Sequence, residues 1–284
     1  MADGPFQTTP RARRPEAGRR RLRLMVALLL AGWIAWTSPA SGRAALNESL
    51  RQRLAVGDAG MWGPHSGSLL TEYYEAFLRD RELGRFSERV AARYTEEPLC
   101  RVLASSPQAS ARRGAVLALG VLGTFEGCNT LLGKALKDED AVVRTMAERA
   151  LWVIWFRADS PENNQALEEV RILIAADRTE EAVERATRLI ARAPRFAEAY
   201  NQRAIAFFKL GRFAESAEGC IRTLTLNPCH IGALGGLAQC QLEQDQPREA
   251  LKTLRRGFRL QPYSEGLNDS VRMLEARLES DGSR

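Results

Sequence analysis

The sequence predicts an all-α protein, a solenoid of antiparallel helix pairs. Three observations carry this. Prolines recur at Pro194, Pro228 and Pro262, 34 residues apart, and the stretches between them overlay without gaps. A second repetition, at an offset of 32, places Arg112 on Arg144, Ala115 on Ala147 and Leu119 on Leu151. In both regions apolar residues fall at three- and four-residue spacing, the period of an amphipathic helix and not of a strand. Self-similarity at such a period marks an architecture in which each unit buries its apolar face against the next.

Composition narrows the function. The chain has 284 residues and an apolar fraction of 45%, enough for a buried core. Its formal charge of +6 sits entirely in residues 1–45, where eight arginines face Asp3 and Glu16; the remaining basic and acidic residues cancel. A nucleic-acid binder carries its positive charge as a patch on the folded domain. A neutral body argues against that class, and no nucleic-acid partner is expected. Of the 41 basic residues 37 are arginine, a bias of composition. Five cysteines form no CxxC pair and are odd in number, so neither a zinc site nor a disulfide framework is indicated. They read as small apolar residues on helices. Cys220 and Cys240 fall on neighbouring helices and would be placed to pair if the chain is exported.

In chain order, residues 1–45 come first. The arginine-rich run Arg11–Arg23 precedes thirteen uncharged residues, Leu24–Trp36, and then small residues from Ser38. Basic, apolar and small-residue regions in that order are the parts of a secretory signal. The apolar run is short for a bilayer core of about 30 Å, and lengthening it by its weakly polar flanks gives an uncleaved anchor instead. The expected location is therefore exported, periplasmic or extracytoplasmic, or tethered to the membrane by this segment alone. Residues 46–97 follow as loop and lead-in helices. A short helix is expected near Leu46–Leu54, then a glycine-rich loop. Leu70, Tyr73, Tyr74 and Phe77 mark one helix, Phe86, Val90 and Tyr94 a second, and Pro98 is expected to end that unit.

Residues 98–158 carry the looser repetition. SARRGAVLALGVLG and VVRTMAERALWVIW each follow a turn, and the second turn carries Asp138 and Asp140, which can cap a helix start. Arg144 sits where it can pair with a turn carboxylate of a neighbouring unit. This pattern resembles HEAT-like repeats. The helix ending in Leu151–Phe156 is apolar around most of its surface, and such a helix is buried; it is the expected seam between the two repeat regions.

Residues 163–264 divide into 163–196, 197–230 and 231–264. The middle copy reads AEAYNQRAIAFFKLGRFAESAEGCIRTLTLNPCH. Gly211 makes its inner turn and Asn227-Pro228 ends its second helix, since proline cannot continue one. Small residues stand where paired helices cross: Ala204 with Ser216, Ala238 with Ala250, and Ala182 facing Val170. These features resemble tetratricopeptide repeats. Asp177, Thr179 and Pro247 stand where glycine or an aromatic is common in that family. Residues 265–284 supply an amphipathic helix with Leu267, Val271, Leu274 and Leu278, the cap that a solenoid needs on its last apolar face.

The resemblance implies a right-handed solenoid whose first helices line a concave groove that takes a protein or peptide. Helical phase points Leu167, Arg171, Ile174, Asn201, Gln202, Ile205, Phe208, Gln239 and Leu242 into that groove, with the amides placed to hold an extended backbone. A carboxylate-clamp subclass of the family is excluded. Its positions hold Leu167, Arg171, Gln202, Gly232 and Gly236, with one base and no clamp asparagine. His65 and His230 have no neighbouring metal ligands, and Gly133-Lys134 lacks the rest of a phosphate loop. No catalytic residue, metal site or cofactor is expected. The sequence thus predicts a non-catalytic bacterial interaction scaffold that binds a protein or peptide. The alternative is a structural accessory subunit of a cell-envelope assembly.

Overall fold

Within each helix pair of the second half of the molecule, the chain reverses by one backbone design used three times. Asp177, Gly211 and Asp245 lie 34 residues apart and all adopt the left-handed conformation, with φ of 60°, 72° and 58°. The following N–H reaches back over the helix end in each case: Arg178 to the carbonyl of Leu173 at 2.9 Å, Arg212 to Phe207 at 2.9 Å and Gln246 to Gln241 at 2.8 Å. The turn residues themselves donate to Ile174, Phe208 and Leu242. This double closure satisfies carbonyls that a helix end otherwise leaves open. Glycine adopts the conformation without a steric penalty, and aspartate is among the residues that tolerate it. Asp177 and Asp245 thus do the work of Gly211, which explains why the glycine is not repeated.

The computed structural model describes residues 69–282. The basic tail, the signal or anchor and the helix expected near residues 46–54 lie outside the described residues. Thirteen helices and no strand occur among the described residues. The first six are α1 (Leu69–Asp80), α2 (Leu83–Ala91), α3 (Glu96–Ser105), α4 (Ala109–Leu122), α5 (Phe125–Ala135) and α6 (Ala141–Phe156). The three 34-residue units are the pairs α7 (Pro161–Ala175) with α8 (Thr179–Arg192), α9 (Ala197–Lys209) with α10 (Phe213–Leu226), and α11 (Ile231–Glu243) with α12 (Pro247–Leu260). The last helix is α13 (Glu265–Gly282). Between pairs the design also repeats: Phe196, His230 and Ser264 donate their N–H groups to Ala193, Asn227 and Gln261 across the three prolines.

Within the middle pair the helices cross on small residues. Ala204 is fully buried, and the Ser216 hydroxyl donates to its carbonyl at 2.8 Å. A Cβ added to Gly219 would stand 2.9 Å from that of Ala204, so the backbones are as close as the side chains allow. Cys220 and Cys240 are neighbours at the next interface, both free and buried. The Cys240 thiol donates to the Ser216 hydroxyl at 3.1 Å. The Cys240 sulfur beside it, together with burial, holds the Cys220 thiol well above the ordinary range. Val271 and Leu274 of α13 close the far end against Leu251 and Leu254 of α12.

The first half differs from expectation at one helix. Pro98 was expected to end a unit, yet it lies in the first turn of α3, where the missing N–H has no helical acceptor to lose. Both turns of the 32-residue repetition are held by arginine. Arg112 donates to the carbonyls of Ser106 and Pro107, and Arg144 to those of Asp138 and Glu139, at equivalent offsets. The turn carboxylates go to the preceding unit: Arg112 grips Asp138 in two bonds of 2.9 Å, and Arg113 grips Asp140 at 3.0 and 2.6 Å. Arg144 therefore does not make the carboxylate pair expected of it. Its guanidinium lies 3.9 Å over the ring of Tyr263, in the last repeat. Asp140 also caps α6, accepting from the Val143 N–H at 2.9 Å.

Two outcomes follow from these contacts. Ala204→Trp should lower stability by at least about 1–3 kcal/mol through overpacking, measured by urea unfolding; an unchanged midpoint would refute the close crossing. Arg113, above all, holds the Asp140 carboxyl below its ordinary value of 3.8. That pair therefore stabilises the fold fully above the ordinary value and ceases to do so as pH falls through the lower folded value. The stability gap between wild type and Asp140→Asn should be present at neutral pH and close as pH falls below the ordinary carboxylate range, through the lowered folded value.

Candidate partner-binding face and the polar joint behind it

The first helices of the three pairs, α7, α9 and α11, place equivalent residues in rows. Leu167, Asn201 and Gly235 form one row, Arg171, Ile205 and Gln239 the next, and Ile174, Phe208 and Leu242 the third. Gln202 stands beside the first row. The nine residues expected at the groove thus share one side of the array. Their exposure is not as expected. Leu167, Arg171, Ile174, Ile205 and Gln239 are buried, Asn201 and Gln202 show no exposed surface, and only Phe208 and Leu242 are half-buried.

For the two amides Asn201 and Gln202 the reason is a carboxylate that the sequence did not mark. Glu198, in the first turn of α9, is 1% exposed. Its Oε1 accepts from Asn201 Nδ2 at 2.8 Å and Gln202 Nε2 at 2.7 Å. The two amides expected to hold a partner's backbone are turned inward to hold Glu198. Its Oε2 lies 2.8 Å from His230 Nε2. His230 Nδ1 accepts the Ala233 N–H at 3.0 Å and so caps α11. That bond fixes the tautomer: Nδ1 carries the lone pair, and the Nε2–H donates to Glu198. Glu198 thus accepts hydrogen bonds from three neutral donors.

The joint continues into the first half of the chain. The His230 ring stacks on Trp155 of α6 at 4.2 Å between centroids, with planes 18° apart, and meets the edge of Trp152 at 5.4 Å. Trp155 Nε1 donates to Asn129 Oδ1 at 2.7 Å, and Asn129 Nδ2 donates to Asn227 Oδ1 at 3.0 Å. The apolar end of α6 is thus the seam, as its composition predicts. The same helix continues along the repeat ends: Glu148 accepts from Gln261 at 3.2 Å, and Arg144 covers Tyr263. At its other end, Phe156 lies under the Arg171 guanidinium at 4.3 Å. Glu168 accepts from the same guanidinium at 2.5 Å.

A histidine beside a carboxylate is part of a hydrolytic triad. Here both ring nitrogens are already engaged, so no hydroxyl or thiol can be activated by this pair without breaking the α11 cap. Two acceptors on the predicted face have not been matched. Gln202 Oε1 and Gln239 Oε1 are buried acceptors with no hydrogen-bond donor. Gln239 Nε2 is held by Glu243 at 3.2 Å, which aims its oxygen away from that carboxylate. At Gly235 an added Cβ would meet nothing, so the face has room in the third repeat.

Helical phase places the nine expected face residues at equivalent positions of the first helices, and seven of them are buried. Sequence reasoning missed Glu198, Asn129 and Asn227. A glutamate in a first helical turn suits the helix dipole, and nothing in its neighbours' spacing marks it as buried. His230 did carry a signal. It occupies the position of Phe196 and Ser264 in the other copies, between an aromatic and a capping residue, and it serves as both.

No protein-family model matches the chain. The chain is 30% identical over 115 residues to a TPR repeat-containing protein of Rhizobium etli, a match covering 40% of this chain and 53% of that one. The chain thus spans about half the length of that curated relative. Among solved structures, YrrB, described as a TPR protein with an unusual peptide-binding site, aligns at 17% identity with a TM-score of 0.36, over 70% of this chain and 96% of its own. The TPR2AB domain of yeast Sti1 in complex with pHSP90 aligns at 19% identity with a TM-score of 0.38, over 72% of this chain and 97% of its own. The fold is an all-helical solenoid whose second half repeats a 34-residue helix pair three times, and the relative it resembles is described by its TPR repeats.

The joint sets its own test. Glu198→Ala strands three buried donors, each at a cost of about 1–3 kcal/mol. Trp155→Phe keeps the ring but strands only the Asn129 oxygen. Chemical unfolding should therefore rank Glu198→Ala well below Trp155→Phe, and Trp155→Phe below wild type. The reverse order would show that Glu198 is not the hub.

Proposed function

We propose that this protein is a non-catalytic interaction scaffold whose α7–α9–α11 face holds an extended segment of a protein partner. One observation carries the reading. The amide oxygen of Gln239, on α11, is buried without a donor. A buried acceptor left unmatched costs about 1–3 kcal/mol, and an N–H group of an extended backbone would match it. Half-buried Phe208 and Leu242 offer apolar contact beside it, and the space at Gly235 admits a side chain. The curated relative is described by its TPR repeats, which agrees with an interaction role without naming a partner. The basic and apolar segments of residues 1–45 would hold the scaffold outside the cytoplasm or on a membrane.

Selection of peptides from a random display library on the full chain tests this. Enriched peptides should bind at least tenfold more weakly to Phe208→Ala and to Gln239→Leu, with the unfolding midpoint of each variant close to wild type. Failure to enrich any peptide, or equal binding by both variants, would remove this face from the function.

A further inference from the structure

A second site lies at the joint, away from that face. A cavity of about 430 Å³ opens between the start of α5, the end of α6 and the start of α9, and none of the nine face residues lines it. Its volume is within the range of about 300–1,000 Å³ typical of small-ligand sites. Phe125, Trp155 and Leu226 supply apolar wall. The charged lining is Glu126, Asp159 and Glu198 against Arg195, three carboxylates to one guanidinium.

Two of those carboxylates are held by neutral donors. Glu198 takes hydrogen bonds from Asn201, Gln202 and neutral His230. Asp159 takes them from the Ser160 N–H and the Asn163 amide. Such bonds support a charge without cancelling it. A buried carboxylate without a counter-charge is unfavourable, and Glu198 is 1% exposed on the wall of this cavity. An independent observation points the same way. Asn227 lines the cavity, is 1% exposed, and its Nδ2 has no acceptor. The site therefore lacks a cation and, beside it, a hydrogen-bond acceptor. Its aromatic and aliphatic walls suit a hydrocarbon stem and the face of an organic cation.

We propose that this cavity binds an organic cation carried on a short hydrocarbon stem next to a carbonyl, the chemistry of an arginine or lysine residue. The cation balances Glu198, Glu126 and Asp159, and the carbonyl accepts from Asn227 Nδ2. A free amino-acid derivative and a residue within a polypeptide present the same group.

Titration calorimetry on the full chain tests this with N-acetyl-arginine methylamide as probe. The neutral citrulline analogue, of the same shape, is the control. Saturable one-site binding of the arginine probe is expected, at least tenfold tighter than the citrulline analogue. The exposed rim should give effects of opposite sign: Glu126→Gln weakens the probe and Arg195→Gln strengthens it, each by roughly two- to fivefold as suits a partly screened charge. Both are surface changes that leave the fold intact, so the proposal does not depend on a Glu198 variant that fails to fold. A pentapeptide with a central arginine that binds tenfold tighter than the single residue assigns a polypeptide source, and equal binding assigns a free ligand. No saturation, equal affinity for citrulline, or rim variants that leave affinity unchanged would overturn the site.

Discussion

A single buried charge, the carboxylate of Glu198, organises the middle of this molecule. A carboxylate removed from water must be met by donors. Asn201, Gln202 and His230 are turned inward to supply them. Because His230 also caps α11 and stacks on Trp155, the charge ties the second repeat to the third and both to α6. Trp155 passes the connection to Asn129, and Asn129 returns it to Asn227 at the end of the second repeat. The loop of contacts is closed.

This arrangement has a consequence for recognition. In an array of identical units, each neighbour pair contributes separately, and the array is readily extended or frayed. Here α6 lies along the ends of the repeats, from Phe156 under Arg171 to Arg144 over Tyr263. The repeats are braced from outside their own stack. A partner docking on the proposed face would then cost less ordering entropy, because the repeats are already held. The cavity lies beside the same brace, lined by Trp155 of α6 and by Ala197, Glu198, Leu226 and Asn227 of the second repeat.

Much of the fold was legible in the sequence. The 34-residue period gave the helix pairs and the prolines gave their ends. Small residues marked the crossings, and the apolar turn-to-turn run of Leu151–Phe156 marked the seam. Helix α3 was not, because Pro98 reads as a terminator unless its place in a first turn is known. Arg144 was assigned the wrong partner. Its role depends on Tyr263, 119 residues away in sequence, and no local spacing encodes that contact. The face was legible as a direction but not as an exposure. Helical phase places Asn201 and Gln202 on the inner side, but it cannot show that Glu198, one turn earlier, turns both amides away from a partner. Polar residues that satisfy one another leave the same trace in a sequence as polar residues that face water.

The central claim is that Glu198, His230 and Trp155 join the two repeat regions into one cooperative unit. Native-state hydrogen exchange on His230→Ala tests it most directly. If the joint holds the regions together, protection should fall in α5 and α6 as well as in α9 and α11, and by similar factors. Loss confined to the first turn of α11, where the cap is removed, with α5 and α6 protected as in wild type, would contradict the claim.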